Sequence, residues 1–201
     1  MKKFIDLIYS YKSHLIKVFL YEALYILLGY KGNNINIRNN EKSTDTIPCP
    51  YLFLNKILVI IEKLNLLSFT DIGCGNGRVL FFFKKKLRLK FFGFEIFEDS
   101  YLNCVSLFKN DQNIRLFNEN FFKYDYKSQI SDCYFINDPI KDLNDHNNLF
   151  TALLNFHKGL KKPIYYILVN LSSDKLSIFN NLRLIKKYKT GKKGFFIYSS
   201  K

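Results

Sequence analysis

Several residue types are scarce in this sequence. Its 201 residues include no tryptophan, one methionine, four prolines and nine glycines, whereas lysine, asparagine, isoleucine, phenylalanine and tyrosine are abundant. Such an imbalance is typical of compositional drift in the coding sequence. Acidic residues are also few, 17 against 31 lysines and arginines, which gives a net charge of +14. Drift accounts for this charge, and a surface for nucleic acid, anionic lipid or another anionic ligand is the alternative. Nearly half of the residues (48%) are apolar, which excludes a disordered chain.

Cysteine is scarce and scattered. Cys49, Cys74, Cys104 and Cys133 form no C-x-x-C pair, and no histidine cluster accompanies them. This spacing argues against a disulfide framework and against a zinc site, and the sequence shows no other metal cluster. We therefore expect no metal and a reducing, cytoplasmic location.

Uninterrupted apolar runs are missing from the N-terminal stretch, residues 4–30, because Asp6, Lys12, Lys17 and Glu22 interrupt it. A membrane span needs roughly 18–20 apolar residues, and a signal peptide needs a small-residue cleavage site that is absent here. Apolar residues instead recur at helical spacing and predict an amphipathic helix. The apolar stripe consists of Leu15, Ile16, Phe19, Leu20, Ala23, Leu24, Leu27 and Leu28. Packing of this stripe against the domain is favoured over contact with a membrane surface or a partner.

A polar stretch, residues 31–50, follows this helix and is predicted to be a loop. We divide the chain into an N-terminal helical extension with its loop, residues 1–47, and a domain, residues 48–201. In the domain, apolar runs alternate with segments of helical period, as in a mostly parallel sheet covered on both faces. The segments LRLIKKY and FFIYSS, joined through KTGKKG, predict an antiparallel C-terminal hairpin. The expected fold is α/β, a Rossmann-like sheet of about seven strands.

The segment SFTDIGCGNGRVL contains the first candidate site. Asp71 ends a predicted strand, and Gly73, Gly75 and Gly77 precede a predicted helix. Glycines permit a tight turn and let a ligand approach the backbone, and ligands of parallel sheets bind beyond the carboxyl ends of the strands. A phosphate-binding P-loop would need Gly-Lys-Ser/Thr, and a dinucleotide loop would have glycine where Arg78 stands.

A second carboxylate ends the next predicted strand. Glu95 lies in FFGFEIFED, twenty-four residues after Asp71. A carboxylate at this place can accept both hydroxyls of a ribose, which favours a nucleoside ligand. A solvated acid at a strand end is the alternative.

The Asp-x-Gly-x-Gly-x-Gly spacing and the later acid resemble the cofactor motifs of class I S-adenosylmethionine-dependent methyltransferases. The resemblance implies the class I methyltransferase fold and S-adenosyl-L-methionine as cofactor. Asp71 would position the cofactor's ammonium group, directly or through water, and Asn120 would read the adenine amine where the family commonly has aspartate. Phe121 or Phe122 would pack on the adenine ring, the other belonging to the core. The implied cofactor-binding residues are Asp71, Ile72, Gly73, Cys74, Gly75, Gly77, Glu95, Ile96, Asn120, Phe121, Asn137 and Tyr51.

The fourth predicted strand ends in FINDPI, where amino-group methyltransferases carry Asp/Asn/Ser-Pro-Pro-aromatic. Asn137 and Pro139 match this pattern, but Asp138 replaces a proline and Ile140 replaces the aromatic residue. These departures weaken the case for a nucleobase amine as acceptor. Asn137 and Asp138 are the catalytic candidates, and Asp138 is either a general base or a loop acid ahead of Pro139.

A further resemblance covers nearly the whole chain. The sequence is similar to a group of small bacterial class I methyltransferases with an N-terminal helical segment and a Y-x-P-T-P-Y-like loop. Here TIPCPY keeps Pro48, Pro50 and Tyr51, with Thr46 in place of the first tyrosine, and KKPIYYILVN fits the group's fifth strand. This resemblance implies that residues 48–51 fold over the cofactor.

The sequence therefore predicts a methyltransferase whose acceptor is open. A small molecule is favoured, such as an envelope saccharide or a lipid-linked component, with the helical extension as an acceptor lid or a peripheral membrane contact. An RNA or other nucleic-acid methyltransferase is the second hypothesis, favoured by the net charge and weakened by the altered FINDPI segment. A non-catalytic cofactor-binding protein is the third.

Overall fold

The computed structural model describes residues 15–32, 47–125, 127 and 130–201. The helices are α1 (Leu15–Leu27), α2 (Tyr51–Ile61), α3 (Arg78–Lys84), α4 (Glu98–Leu107), α5 (Leu143–Lys158) and α6 (Ser173–Leu176), the last followed by a 3-10 turn (Ser177–Phe179). The strands are β1 (Ser68–Ile72), β2 (Lys90–Phe94), β3 (Ile114–Phe117), β4 (Cys133–Ile136), β5 (Tyr165–Val169), β6 (Arg183–Thr190) and β7 (Lys193–Ser199). Predictions for residues 1–14 and 33–46, which include most of the polar loop and Thr46, lie outside the described residues.

The seven strands form one sheet in the order β3-β2-β1-β4-β5-β7-β6. Strands β1 to β5 are parallel, whereas β7 runs antiparallel to both β5 and β6. The chain adds β2 and β3 on one side of β1 and then crosses to add β4 on the other side. A crevice opens at such a switch point, beyond the carboxyl ends of the strands. The predicted mostly parallel sheet with an antiparallel C-terminal hairpin is confirmed.

The central strands are apolar on both faces because helices cover both sides of the sheet. Phe69 and Phe135 pack in one hydrophobic cluster with residues of α1, α2 and α3, whereas Tyr134 and Tyr166 pack in a second cluster with residues of α5. Neighbouring residues of a strand point to opposite faces, so β4 is buried at every position. This pattern explains why short apolar runs located the strands correctly.

Helix α1 packs through a different face from the one that its periodicity predicts. Val18 and Tyr25 are buried, and the Tyr25 ring stacks on the Tyr51 ring with centroids 4.6 Å apart. The Tyr25 hydroxyl donates a hydrogen bond to Asn55 Oδ1 at 2.6 Å. Most of the predicted stripe is instead 50–85% exposed, at Ile16, Phe19, Leu20, Leu24, Leu27 and Leu28. The helix is apolar around most of its circumference, so apolar spacing alone could not select the buried face.

A smaller difference concerns the start of helix α4. Capping preference would select Asp99 or Ser100 as the N-cap, but helix α4 begins at Glu98 with Phe97 as its N-cap, two or three residues earlier. Helix α1 contributes to the same hydrophobic cluster as the sheet, and the division at residues 47 and 48 stays a prediction. Among the described residues, no helix combines the length and apolarity needed to cross a bilayer.

Candidate functional site

A cavity of about 360 Å³ lies beyond the carboxyl ends of β1, β2 and β4, next to the switch point of the sheet. Its wall combines the end of β1, the glycine loop (residues 73–77), the end of β2, and the loops at residues 119–122 and 137–140. Residues 47–49 and the start of α5 complete it. The position and size are those of a small-molecule site in an open α/β sheet.

The glycine loop has a backbone that other residues rarely adopt. Gly73, Gly75 and Gly77 have φ values of 79°, 54° and 84°. The backbone N–H groups of Gly73 and Cys74 both donate to the Phe94 carbonyl at 2.9 Å, which fixes the loop to β2. A Cβ at Gly73 would lie 2.9 Å from Pro139 Cβ, so glycine here lets the 137–140 loop approach.

Gly77 has a different task from its two neighbours in the loop. A Cβ at Gly77 would lie 2.8 Å from Cys104 Sγ of α4, and Gly77 is not part of the cavity lining. Its missing side chain lets α3 and α4 pack closely. The structure therefore places this predicted cofactor contact outside the cavity.

Asp71 contributes a buried carboxyl group to the cavity wall. Its side chain is buried, and its Oδ2 atom is shielded from solvent without a hydrogen-bond partner among the described residues. Burial, and secondarily the charge of Glu95, raise the pKa of the Asp71 carboxyl well above its usual range. A buried carboxylate without a partner destabilises the folded protein because the charge is desolvated. A cationic group in the cavity would offset this cost.

Glu95 ties the end of β2 to the glycine loop. Gly75 N donates to Glu95 Oε2 at 2.8 Å, and Phe97 N donates to Oε1 at 2.9 Å. The Asn118 side-chain amide donates to the Glu95 carbonyl at 3.0 Å, which fixes the backbone at this place. The side chain also lines the cavity.

The cavity is acidic although the protein is strongly basic. Among the described residues, its lining contains the carboxylates of Asp71, Glu95, Glu119 and Asp145, and a single cationic side chain, Arg78. The field inside therefore favours a ligand that carries positive charge and disfavours one with several phosphates.

Arg78 is turned towards α1 and is neutralised there. Its Nη1 atom donates to Glu22 Oε2 at 2.8 Å and to the Cys49 carbonyl at 3.2 Å. Its guanidinium lies 4.3 Å from the centre of the Tyr51 ring. The sequence analysis noted Glu22 only as a charge that interrupts the apolar stretch and missed its pairing with Arg78, although Glu22 is the one acid of α1.

Residues 47–49 and Tyr51 have different roles in the site. Ile47, Pro48 and Cys49 line the cavity, whereas Tyr51 does not. Tyr51 is fully buried between the Tyr25 ring and the Arg78 guanidinium. Tyr51, which we predicted to contact the cofactor, instead packs against Arg78, the residue that follows the glycine loop.

The residues that follow β3 line the apolar side of the cavity. Phe121 and Phe122 both contribute, and both also pack in the hydrophobic cluster beside α5. Asn120 lines the cavity too, but its Oδ1 atom accepts a hydrogen bond from Phe122 N at 2.9 Å. The oxygen that we expected to read an adenine amine is thus already engaged in a local turn. Ile96 lies at the mouth and is half exposed.

The two catalytic candidates, Asn137 and Asp138, are neighbours in the loop that follows β4 but have different surroundings. Asn137 lines the cavity; its amide donates to the Ile47 carbonyl at 3.0 Å and its Oδ1 accepts from Asn170 Nδ2 at 3.0 Å. Asp138 has a φ of 47° and accepts from Lys175 Nζ at 2.6 Å. It is not part of the lining, so this geometry does not support Asp138 as a general base.

Several other residues of the site were not predicted, because tertiary contacts alone bring them there. Examples are the lining residues Gly32, Asp145 and Leu149 and the supporting residues Asn170 and Lys175.

Neither a protein-family model nor a curated protein matches this sequence. Solved structures do match its fold. An RNA methyltransferase from Salinibacter ruber, in complex with S-adenosyl-L-homocysteine, superposes with a TM-score of 0.59 at 11% identity, over 76% of this chain and 93% of that one. A methyltransferase from Geobacter sulfurreducens gives 0.56 at 11% identity, over 73% and 76% of the two chains. Fibrillarin from Aeropyrum pernix, with bound S-adenosyl-L-methionine, gives 0.52 at 10% identity, over 65% of each chain. The fold is that of the class I methyltransferases, as the sequence predicted.

Proposed function

We propose that the protein is a methyltransferase that binds S-adenosyl-L-methionine in the cavity beyond β1 and β2. The observation that carries this proposal is the buried Asp71 carboxylate, whose Oδ2 atom has no partner among the described residues and borders an acidic cavity. When bound, this cofactor supplies a methyl group that is already activated by a sulfonium centre. Its ammonium and sulfonium charges fit the carboxylates of the lining, whereas the phosphates of a dinucleotide would be repelled by them.

The residues present fit the parts of this cofactor. Asp71 is placed to hold the ammonium group, and Gly73 and Gly75 leave room for the amino-acid end beside the backbone. The Glu95 carboxylate lines the cavity as an acceptor suited to ribose hydroxyls, and Phe121 offers an apolar wall for the base. Ile72, Cys74, Ile96 and Asn120 also line the cavity and complete the proposed contact set.

We place the acceptor between residues 47–49 and the 137–140 loop. Asn137 is fixed there from both ends of its amide and can orient an acceptor group. Glu119 and Asp145 are exposed in the lining and would repel a phosphate backbone, so a small molecule without phosphates at its reactive end is favoured. Proximity and orientation would supply most of the rate, since the methyl group is already activated.

A nucleic-acid methyltransferase is the alternative that one observation favours, the net charge of +14. It is distinguished by salt dependence, because binding through phosphates weakens steeply as salt rises. Retention of RNA at low salt that is lost at higher salt would favour this alternative, and weak unsaturable retention would favour the small molecule. A non-catalytic cofactor-binding protein is the third reading. It would bind the cofactor without consuming it in the presence of any extract fraction.

The test is calorimetric titration of S-adenosyl-L-methionine into the wild type, Asp71→Asn, Glu95→Ala and the control Glu62→Gln. Glu62 is an exposed acid at the end of α2, outside the cavity lining. We expect the two cavity variants to bind at least about ten-fold more weakly, as loss of a charged hydrogen bond implies, and the control to bind like the wild type. No binding by a folded wild type, or equal binding by all four proteins, would overturn the proposal.

A further inference from the structure

Helix α1 presents an apolar face to solvent. Its outer face consists of Ile16, Phe19, Leu20, Leu24, Ile26 and Leu27. Phe19 is 70% exposed and Leu27 is 85% exposed. Single exposed apolar residues are ordinary, but a contiguous apolar surface on a soluble protein marks a place where something binds.

The exposed charged side chain of α1 is positive, and two exposed lysines that follow α3 lie beside the C-terminal end of the helix. Helix α1 has two charged residues, Lys17, which is exposed, and Glu22, whose carboxylate is turned inward to Arg78 and Tyr51 N. At the other end of the helix, Lys85 Nζ lies 4.6 Å from the centre of the Tyr30 ring. Lys86 Nζ lies 5.8 Å from the centre of the Tyr25 ring. Within the described part of α1, no exposed acid lies on the outer face.

We propose that the outer face of α1 docks on an anionic membrane surface. Aliphatic and phenyl side chains would enter the boundary between headgroups and acyl chains, with the helix lying in the plane of the membrane. Lys17, Lys85 and Lys86 would then meet anionic headgroups. The inner face of α1 stays on the domain, since Val18 and Tyr25 are buried there.

Charge separates this occupant from a second copy of the protein. Two copies joined through their outer faces would bring the Lys17 side chains to the same interface, with no acid of α1 available to pair with them. A membrane rich in anionic lipid supplies the missing negative charge and also accepts the apolar side chains.

The first experiment measures co-sedimentation of the full chain with vesicles. One set is made of phosphatidylcholine alone, and the other contains phosphatidylglycerol as well. We expect saturable binding to the anionic vesicles that is much weaker on the neutral ones. Absence of binding to the anionic vesicles would overturn the proposal and would mean that another part of the chain, or a protein, covers the outer face.

Two paired variants test the two components of the surface. Leu20→Ser with Leu27→Ser removes apolar groups, and the matched control is Leu102→Ser with Leu184→Ser, at exposed leucines of α4 and β6. Lys85→Gln with Lys86→Gln removes charge, and its control is Lys158→Gln with Lys161→Gln at exposed positions on and just after α5. Each α1-side pair should weaken binding to anionic vesicles by roughly ten-fold or more, and each control should leave it unchanged.

Thermal unfolding and cofactor titration of the same variants show whether each protein is folded. Leucine variants that bind vesicles as well as the wild type would overturn the proposal. A second result would also overturn it: the wild type dimerises as its concentration rises, and the variant with Leu20→Ser and Leu27→Ser loses dimerisation but keeps vesicle binding. A second copy of the protein would then be the occupant of the outer face. None of these outcomes depends on methyl transfer, so the membrane proposal and the proposed function can fail separately.

Discussion

The guanidinium of Arg78 and the carboxylate of Glu22 join the glycine loop to helix α1 through an ion pair of 2.8 Å. The Arg78 side chain is 8% exposed and that of Glu22 is 25% exposed, so the pair is largely shielded from water. The same carboxylate accepts a hydrogen bond from Tyr51 N at 2.9 Å. One side chain therefore fixes the beginnings of α2 and α3 relative to α1.

Replacing this carboxylate should reduce stability and cofactor affinity together. Glu22→Gln keeps the volume but turns an amide donor towards Arg78 or Tyr51 N, leaving a shielded donor without an acceptor. We expect a loss of about 2–4 kcal/mol in the free energy of unfolding, measured by denaturant titration. The exposed control Glu62→Gln should stay within about 0.5 kcal/mol of the wild type. An unchanged Glu22→Gln protein would show that α1 is not fixed through this pair.

Replacing Asp71 should lower cofactor affinity without lowering stability, unlike the replacement of Glu22. The pKa of the Asp71 carboxyl is raised by burial, so its ionised form opposes folding at neutral pH, and Asp71→Asn removes that charge without changing the shape. The free energy of unfolding should be equal to or above that of the wild type, while affinity for S-adenosyl-L-methionine falls at least about ten-fold. Denaturant titration and calorimetry measure the two quantities on the same sample. A variant that loses stability would indicate that Asp71 serves the fold and not a ligand.

Gly73 should tolerate no side chain. Its φ is 79°, and a Cβ would lie 2.9 Å from Pro139 Cβ. Gly73→Ala should lower the free energy of unfolding by about 1–3 kcal/mol and displace the 137–140 loop. Gly159→Ala is the matched control, because Gly159 has a φ of −76° and its nearest neighbour would lie at 3.9 Å. Equal effects of the two changes would refute the close approach at Gly73.

Asn170 should position Asn137. Its Nδ2 atom donates to Asn137 Oδ1, and its φ of 59° makes Asn170→Gly a substitution that keeps the backbone. We expect kcat for methyl transfer to fall about ten-fold, with affinity for the cofactor little changed, because only the acceptor side loses its orientation. Asn110→Gly, at an exposed position with a φ of 73°, controls for loss of an asparagine at positive φ. A fall in cofactor affinity without a fall in kcat would contradict the assignment.

His157 should make stability depend on acidity. It is buried and bonded through Nδ1 to the Tyr166 hydroxyl, and burial, with a smaller contribution from Lys162, lowers its pKa from 6.5 to about 4. The unfolded chain therefore binds this proton more readily, and stability present above pH 6.5 is lost as the pH falls towards about 4. His157→Gln should show a smaller loss over this range, measured by denaturant titration at several pH values. His146, whose pKa is also lowered to about 4, should keep part of the dependence in that variant. An identical pH profile in both proteins would argue against a neutral His157.

The sheet could be predicted from the sequence because its strands are short apolar runs that end in polar residues. Cys133–Ile136 is buried at every position. Asp71 precedes the last residue of β1 and Glu95 directly follows β2, so both lie at the same edge of the sheet. Local pattern and strand direction were therefore enough to place these two carboxylates together. Both belong to the cavity wall, as expected.

The misplaced residues depend on contacts that no local pattern contains. Asp138 turns from the cavity because its backbone has a positive φ and because Lys175, thirty-seven residues later, supplies a cation. The buried face of α1 was missed because the helix is apolar nearly all round, and Glu22 and Tyr25 select the face by pairing with Arg78 and Tyr51. The orientation of Asp138 and the buried face of α1 therefore depend on contact partners that are distant in sequence.

The strand order also sets a sequence of events during folding. Strand β7 lies between β5 and β6, so β6 has no neighbour in the sheet until β7 has been made. The two strands are joined by a tight turn at Gly191, with a φ of 60°, and can form a hairpin without the rest of the sheet. We expect this hairpin to form first and then add to β5 as a unit, through the free edge of β7. Until the hairpin adds, the backbone N–H and C=O groups on the outer edge of β5 are unpaired. During that time this edge can pair with a strand of another chain.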